Sequence, residues 1–135
     1  MPEERPSPDT QRTAPSAFKS RGGLQRVLNA MRYSLAGLRA AFRNEAAFRQ
    51  ELALGVPLVL AAPWLAPGRW QLLAMVGSVV LVWVVELLNS AIEALADAVS
   101  ADRHPLLGRA KDLGSAAVML CLAQVVGVWA LALWP

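Results

Sequence analysis

The chain of 135 residues is unusually apolar, because 56% of its residues are hydrophobic, only 17% are charged, and the mean hydropathy is +0.40. A soluble domain of this size carries about 25% charged residues. The composition therefore predicts one membrane-associated domain. A single cysteine, Cys121, and the lack of lysine-rich blocks exclude a disulfide-stapled secreted module and a typical nucleic-acid-binding protein.

Positive charge is concentrated in the first third of the chain. Of the 13 Lys and Arg residues, nine lie before residue 52, which accounts for the isoelectric point of about 9.8. Residues 1–22 are rich in proline and mixed charges and have no apolar segment, so we expect a disordered tail and no cleavable signal peptide.

Residues 23–43 follow the tail and predict an amphipathic helix. Seven apolar residues recur there at steps of three and four: Leu24, Val27, Leu28, Met31, Leu35, Leu38 and Phe42. Arg32, Arg39 and Arg43 lie off this stripe, as in a helix on the cytoplasmic membrane surface whose arginines face lipid phosphates. The same pattern also fits a helix packed on protein. Asn44 is predicted to be the N-cap of the next helix.

Residues 44–135 are predicted to form a domain of three transmembrane helices. Three uncharged windows, residues 52–68, 70–85 and 113–135, suggest spans at about 45–67, 70–98 and 111–134. Pro57 and Pro63 lie in the first window and can kink or shorten it. By the positive-inside rule, the N-terminus and the second loop are cytoplasmic.

The segment ELLNSAIEALAD, residues 86–97, is the most informative in the sequence. At about 100° per residue, Glu86, Asn89, Ser90, Glu93 and Asp97 share one face of the second predicted span. A carboxylate in hydrocarbon costs roughly 2.5 kcal/mol or more. These acids therefore need water, cations or neighbouring helices, unless the lower part of the segment has left the membrane and is solvated.

Two further polar groups lie at the predicted cytoplasmic starts of the first and third spans. The first, NEAAFRQE, contains Glu45, Arg49 and Glu51, of which Glu45 and Arg49 have the i, i+4 spacing of a local ion pair. The second, GRAKDLGS, contains Lys111 and Asp112. The predicted topology brings both groups and the lower end of the acidic segment to one membrane face.

These residue types suit phosphoryl transfer. Carboxylates from two helices are hard ligands for Mg²⁺, which usually takes one or two of them and completes its shell with water and phosphate. A lysine binds phosphate, and a poorly hydrated carboxylate can deprotonate an alcohol. The GxxxxGK[ST] loop and the protein-kinase motifs are both absent from the sequence.

Through GLRAAFRNEAAFRQE, VELLNSAIEALAD and GRAKDLGSAAV, the sequence resembles the small integral-membrane prokaryotic diacylglycerol kinases. The resemblance covers about residues 23–134. It implies a homotrimer whose subunits each contribute three transmembrane helices and one surface helix, with active sites shared between subunits. It also implies transfer of a phosphoryl group from ATP, with Mg²⁺ as cofactor, to 1,2-diacylglycerol at the cytoplasmic face of a bacterial inner membrane.

The resemblance also implies roles for individual residues. Glu86 is expected to be the general base, and Glu45 and Glu93 are expected to hold Mg²⁺. The expected ATP-binding residues are Arg26, Tyr33, Glu45, Glu93, Asp102, Arg103, His104, Lys111 and Asp112. The expected lipid-substrate residues are Arg26, Ser34, Arg39, Phe48, Arg49, Gln50, Glu51, Glu86, Ser115 and Trp129. Asn89, Ser90 and Asp97 are expected to support the site.

Two alternatives remain open at this point. A kinase for another membrane alcohol, such as undecaprenol, would use the same chemistry and the same site. A small transporter subunit that uses its intramembrane acids as a proton relay would consume no ATP in a Mg²⁺-dependent way.

Overall fold

The computed structural model describes residues 23–100 and 104–134, and within these ranges the chain is helical apart from short connections. Four helices follow one another: α1 (Gly23–Asn44), α2 (Ala46–Leu65), α3 (Arg69–Val99) and α4 (Pro105–Leu133). The predicted all-α fold class is thereby confirmed. The predicted N-terminal tail lies outside the described residues.

Helix α1 confirms that residues 23–43 are helical. The chain divides into two compact units, and the division falls inside α1 between Ala36 and Gly37. In the first unit, the apolar side chains of the predicted stripe are all exposed, as are Arg26 and Arg32.

The junction between α1 and α2 corrects the predicted N-cap. Asn44 is the last residue of α1, and Glu45 occupies the cap position with an extended backbone and no side-chain cap hydrogen bond. The Glu45 N–H still donates to the carbonyl of Ala41 at 2.8 Å. Because the hydrogen-bond ladder of α1 continues through Glu45, the break falls one residue later than the side-chain chemistry of Asn44 suggests.

Helix α3 is central to the second unit, since both α2 and α4 pack along it. A small apolar core joins the three helices through Ala62, Met75, Val79 and Trp129. The indole Nε1 of Trp129 donates to the carbonyl of Met75 at 3.2 Å, and Ser78 Oγ donates to the same carbonyl at 2.8 Å. This end of the bundle therefore satisfies the polar atoms that it buries.

A close crossing near the middle of α2 sets its position against α3. A Cβ on Gly55 would lie 2.8 Å from Cζ2 of Trp83 and 2.8 Å from Cγ1 of Val79. Only a glycine allows this approach without a shift of its neighbours. The indole Nε1 of Trp83 also donates to the backbone carbonyl of Glu51 at 3.3 Å. The crossing thus fixes the start of α2 beside the second half of α3.

In the part of the chain that the structure describes, two helices, α3 and α4, are long and apolar enough to cross a membrane. On α4, large apolar side chains such as Leu120, Val126 and Leu131 are exposed over most of its length. An apolar surface of this extent fits contact with lipid or with other helices. Helix α2 is not one of these two, because it begins with a polar segment and contains Pro57 and Pro63.

Candidate active site

The polar face of α3 changes steadily in burial from Glu86 to Asp97. Glu86 is 3% exposed and Asn89 is 8% exposed, although both lie on a predominantly apolar helix. Glu93 is half-buried, whereas the side chain of Asp97 is 71% exposed. The polar face of α3 therefore begins between packed helices at Glu86 and ends in an exposed position at Asp97.

Three other carboxylates lie near that of Glu86. Glu93 from α3, Glu45 at the start of α2 and Glu51 from the first turns of α2 all lie close enough to repel the Glu86 carboxylate. We call Glu45, Glu51, Glu86 and Glu93 the carboxylate cluster. It joins two of the three polar groups that the sequence predicts to lie at one end of the bundle.

Asn89 organises the α3 side of the cluster. Its Nδ2 donates to Oε1 of Glu93 at 3.1 Å, and its side chain also lies within interaction range of Glu86. Its Oδ1 is buried and has no hydrogen-bond partner. Because a Cβ on Gly114 would collide with this oxygen, Asn89 fits only against a glycine on α4.

No carboxylate of the cluster forms an ion pair among the described residues. Oε2 of Glu51 is buried without a hydrogen-bond partner. Within residues 23–100 and 104–134, one ion pair forms, between Nζ of Lys111 and Oδ1 of Asp97 at 3.0 Å. Unpaired buried carboxylate charge is costly, so the arrangement suits a site that receives a cation.

Lys111 brings the third polar group to the same end. It lies in the second turn of α4, and its ammonium is close enough to Glu93 for electrostatic attraction. Helix α4 begins well before Lys111, because Pro105 occupies its first turn and Nδ1 of His104 accepts a hydrogen bond from Leu106 N at 3.3 Å. His104, expected to bind ATP, is therefore the N-cap of α4.

Arg49 does not form the local ion pair that its spacing from Glu45 permits. Its Nη1 instead donates to the carbonyls of Phe42 and Arg43, at 3.1 and 3.2 Å. These carbonyls belong to the last turn of α1, where intrahelical donors are lacking. Arg49 thus caps α1 and ties it to α2 across the break at Glu45.

The remaining predicted residues are spread over the structure. Arg39, Gln50, Asp112 and Ser115 are exposed, Ser90 is half-buried and Phe48 is buried. Arg26, Tyr33 and Ser34 belong to the first unit and are exposed there. Asp102 and Arg103 lie outside the described residues.

Trp129 is separated from the cluster within this chain. It packs in the apolar core and bonds to Met75, which lies eleven residues, or about 16 Å, along α3 from Glu86. The structure therefore does not bring this expected lipid-site residue together with Glu86 in one chain.

Three residues that shape the site were not predicted from the sequence: Gly55, Trp83 and Gly114. Gly55 and Trp83 allow α2 to pack closely against α3, and Gly114 allows α4 to pack closely against Asn89. The available signal was a glycine inside a predicted membrane helix, which is typical of close helix approach.

The donor set fits a metal ion that keeps most of its own shell. Among the described residues, no three His, Cys, Asp or Glu side chains are arranged to bind a metal together. Mg²⁺ needs only one or two protein carboxylates when water and substrate phosphates supply the other ligands. The carboxylate cluster, with its buried unpaired oxygen on Glu51, meets that lower requirement.

Comparison with known proteins finds close similarity over most of the chain. The family model described as "Prokaryotic diacylglycerol kinase" matches residues 32–133. A protein named "Diacylglycerol kinase" from Pseudomonas aeruginosa is 51% identical over 117 residues, which are 87% of this chain and 95% of the relative. One with the same name from Escherichia coli K12 is 46% identical over 112 residues, covering 83% and 92%. One from Haemophilus influenzae is 45% identical over 107 residues, covering 79% and 91%.

Proposed function

The chain belongs to the prokaryotic diacylglycerol kinase family, and we propose that it transfers the γ-phosphoryl group of ATP to the primary hydroxyl of 1,2-diacylglycerol, giving phosphatidic acid. Among the structural observations, the carboxylate cluster supports this proposal most directly. It presents a buried carboxylate, Glu86, beside other carboxylates and a lysine at one end of an apolar bundle.

Glu86 is the general base of the proposed reaction. It takes the proton from the lipid hydroxyl as the hydroxyl oxygen forms a bond to the γ-phosphorus of ATP. The bond between the γ-phosphorus and the bridging oxygen breaks, and ADP leaves. Asn89 positions Glu86 and Glu93 relative to each other through its amide. Because little covalent chemistry falls to the protein in phosphoryl transfer, most of the rate enhancement comes from positioning and from charge neutralisation.

Glu45 and Glu93 would hold Mg²⁺, which when bound supplies positive charge that neutralises the ATP phosphates. The two carboxylates come from different helices and both lie near Glu86. Lys111 contacts the phosphates as a further positive charge. Asp112 and the start of α4, capped by His104, complete the nucleotide side of the site.

We further propose that the protein lies in a bacterial inner membrane with its N-terminus in the cytoplasm and with three spans, α3, α4 and also α2, whose 20 residues extend about 30 Å as a helix although its first turns are polar. The concentration of arginines before residue 52 supports that orientation. The exposed apolar surface of α4 supports assembly into a homotrimer within the bilayer. In such a trimer, residues distant in one chain, such as Trp129, can belong to a site shared with a neighbour.

The proposal is tested by a phosphorylation assay with radiolabelled ATP on purified protein in lipid nanodiscs. We expect Mg²⁺-dependent labelling of diacylglycerol and a loss of about 10²- to 10⁴-fold in kcat for Glu86→Gln, the usual contribution of a general base. Preferential labelling of undecaprenol in the same panel would show that the substrate is a different lipid alcohol. Full turnover by Glu86→Gln would refute the role of Glu86, and no labelling of either lipid would refute the kinase itself.

A further inference from the structure

The ion pair between Asp97 and Lys111 spans the connection from α3 to α4. Asp97 lies in the last turns of α3 and Lys111 in the second turn of α4, and their charged atoms are 3.0 Å apart. It is the single ion pair within the described part of the chain. The pair therefore determines the position of the Lys111 ammonium at the exposed end of the polar face of α3.

This pair contributes little to folding. The side chain of Asp97 is 71% exposed and that of Lys111 is 38% exposed, and ion pairs so exposed to water have small net effects on stability. What the pair does fix is the conformation of a long, flexible side chain. An ammonium has three N–H donors, so a bond to Asp97 leaves two for another ligand.

A second carboxylate competes for the same lysine. Glu93 lies four residues before Asp97 on α3, about 6 Å along the helix, and attracts Lys111 electrostatically. If Lys111 bonded to Glu93 instead, the positive charge would neutralise a carboxylate that the proposed function assigns to Mg²⁺. The observed geometry avoids this, because Glu93 accepts from Asn89 and Lys111 donates to Asp97.

We propose that Asp97 is a positioning residue for the phosphoryl donor: it holds Lys111 one helical turn away from Glu93. The lysine is then available to the nucleotide phosphates, and Glu93 is available to Mg²⁺. The inference rests on the proposed function, because it assumes that Lys111 and Glu93 serve the nucleotide. It assigns Asp97 a role that acts through Lys111 and requires no contact between Asp97 and a substrate.

The test compares Asp97→Asn, Asp97→Glu and a charge control, Arg109→Gln, which alters an exposed residue of α4 with no assigned role. For Asp97→Asn we expect a rise of about two- to fivefold in KM for Mg-ATP, the range that the loss of an exposed ion pair supports. The Mg²⁺ concentration for half-maximal activity should rise with it. The KM for diacylglycerol and the melting temperature should stay unchanged, Asp97→Glu should recover most of the loss, and the control should behave as wild type.

A double-mutant cycle with Lys111→Met separates the inference from the proposed function. Binding of a non-hydrolysable Mg-ATP analogue provides a readout that does not depend on turnover. We expect Lys111→Met to weaken this binding and Asp97→Asn to add nothing in the Lys111→Met background. An equal effect of Asp97→Asn in both backgrounds, or no effect in either, would overturn the positioning role while leaving the kinase assignment intact. A failure of wild-type protein to phosphorylate any lipid would instead overturn the proposed function.

Discussion

Helix α3 has an apolar half around Met75 and a polar half around Glu86. Both halves pack against α2 and α4, but they differ in whether their buried polar atoms form hydrogen bonds. Around Met75, the carbonyl receives hydrogen bonds from both Ser78 and Trp129. Around Glu86, two buried oxygens, Oδ1 of Asn89 and Oε2 of Glu51, have no hydrogen-bond partner among the described residues. Both halves nevertheless rely on close contacts, made by Gly55 in one and by Gly114 in the other.

The two halves of α3 therefore have different roles: the apolar half stabilises the fold, and the polar half presents groups that can bind a ligand. An unsatisfied buried polar group costs roughly 1–3 kcal/mol, so the polar half is expensive to fold as a single chain without ligands. The apolar half, with its satisfied carbonyl and packed core, offsets that cost. Buried acceptors left free in the polar half are the groups that a cation, a lipid hydroxyl or a neighbouring subunit can engage.

After the loss of turnover expected for Glu86→Gln, the next largest effect concerns the metal ion. Glu45→Gln and Glu93→Gln each remove a charge from the polar half, and we expect the Mg²⁺ concentration for half-maximal activity to rise about 10- to 100-fold. The reason is that a neutral amide is a poorer ligand for a hard dication. Titration of activity with Mg²⁺ at fixed ATP measures the effect.

Arg69→Gln, which removes an exposed charge at the first residue of α3, serves as a charge control for that titration and should leave the Mg²⁺ requirement unchanged. If Glu45→Gln and Glu93→Gln also leave it unchanged, the cluster does not bind the metal, and its acids must be balanced in another way.

A smaller effect is expected from Gly114→Ala, which breaks the contact that seats Asn89. The added Cβ collides with Oδ1 of Asn89, so the amide must move away from Glu93 and Glu86. We expect a loss of about 1–3 kcal/mol in the free energy of unfolding and a fall in kcat. Thermal unfolding in nanodiscs and the lipid phosphorylation assay measure the two quantities.

Gly127→Ala is the matched control, because Gly127 lies on the same helix with nothing near its Cβ position. The better helix propensity of alanine should leave that variant as stable as wild type or up to about 1 kcal/mol more stable. Equal behaviour of the two variants would mean that Gly114 does not position Asn89.

The sequence predicts the residues of the polar half of α3 better than it predicts the contacts that hold the surrounding side chains in position. Carboxylates at helical spacing in an apolar run are recognisable in the sequence, and that spacing alone predicts that Glu86, Glu93 and Asp97 share one face. The partners of Arg49 and Lys111 were not visible, because they depend on how three helices cross. Arg49 donates to backbone carbonyls of α1, and Lys111 pairs with Asp97 across the α3–α4 connection.

The smallest effect belongs to the apolar half and concerns Trp129. Trp129→Phe keeps an aromatic ring in the core but removes the Nε1–H donor to Met75, and a neutral hydrogen bond contributes about 0.5–1.5 kcal/mol. We therefore expect a modest fall in melting temperature with an unchanged KM for diacylglycerol. Trp134→Phe, at a 79% exposed position, should change neither quantity. A raised KM at unchanged stability would instead place Trp129 in a lipid site completed by another subunit, and the apolar half would then share in function as well as in support.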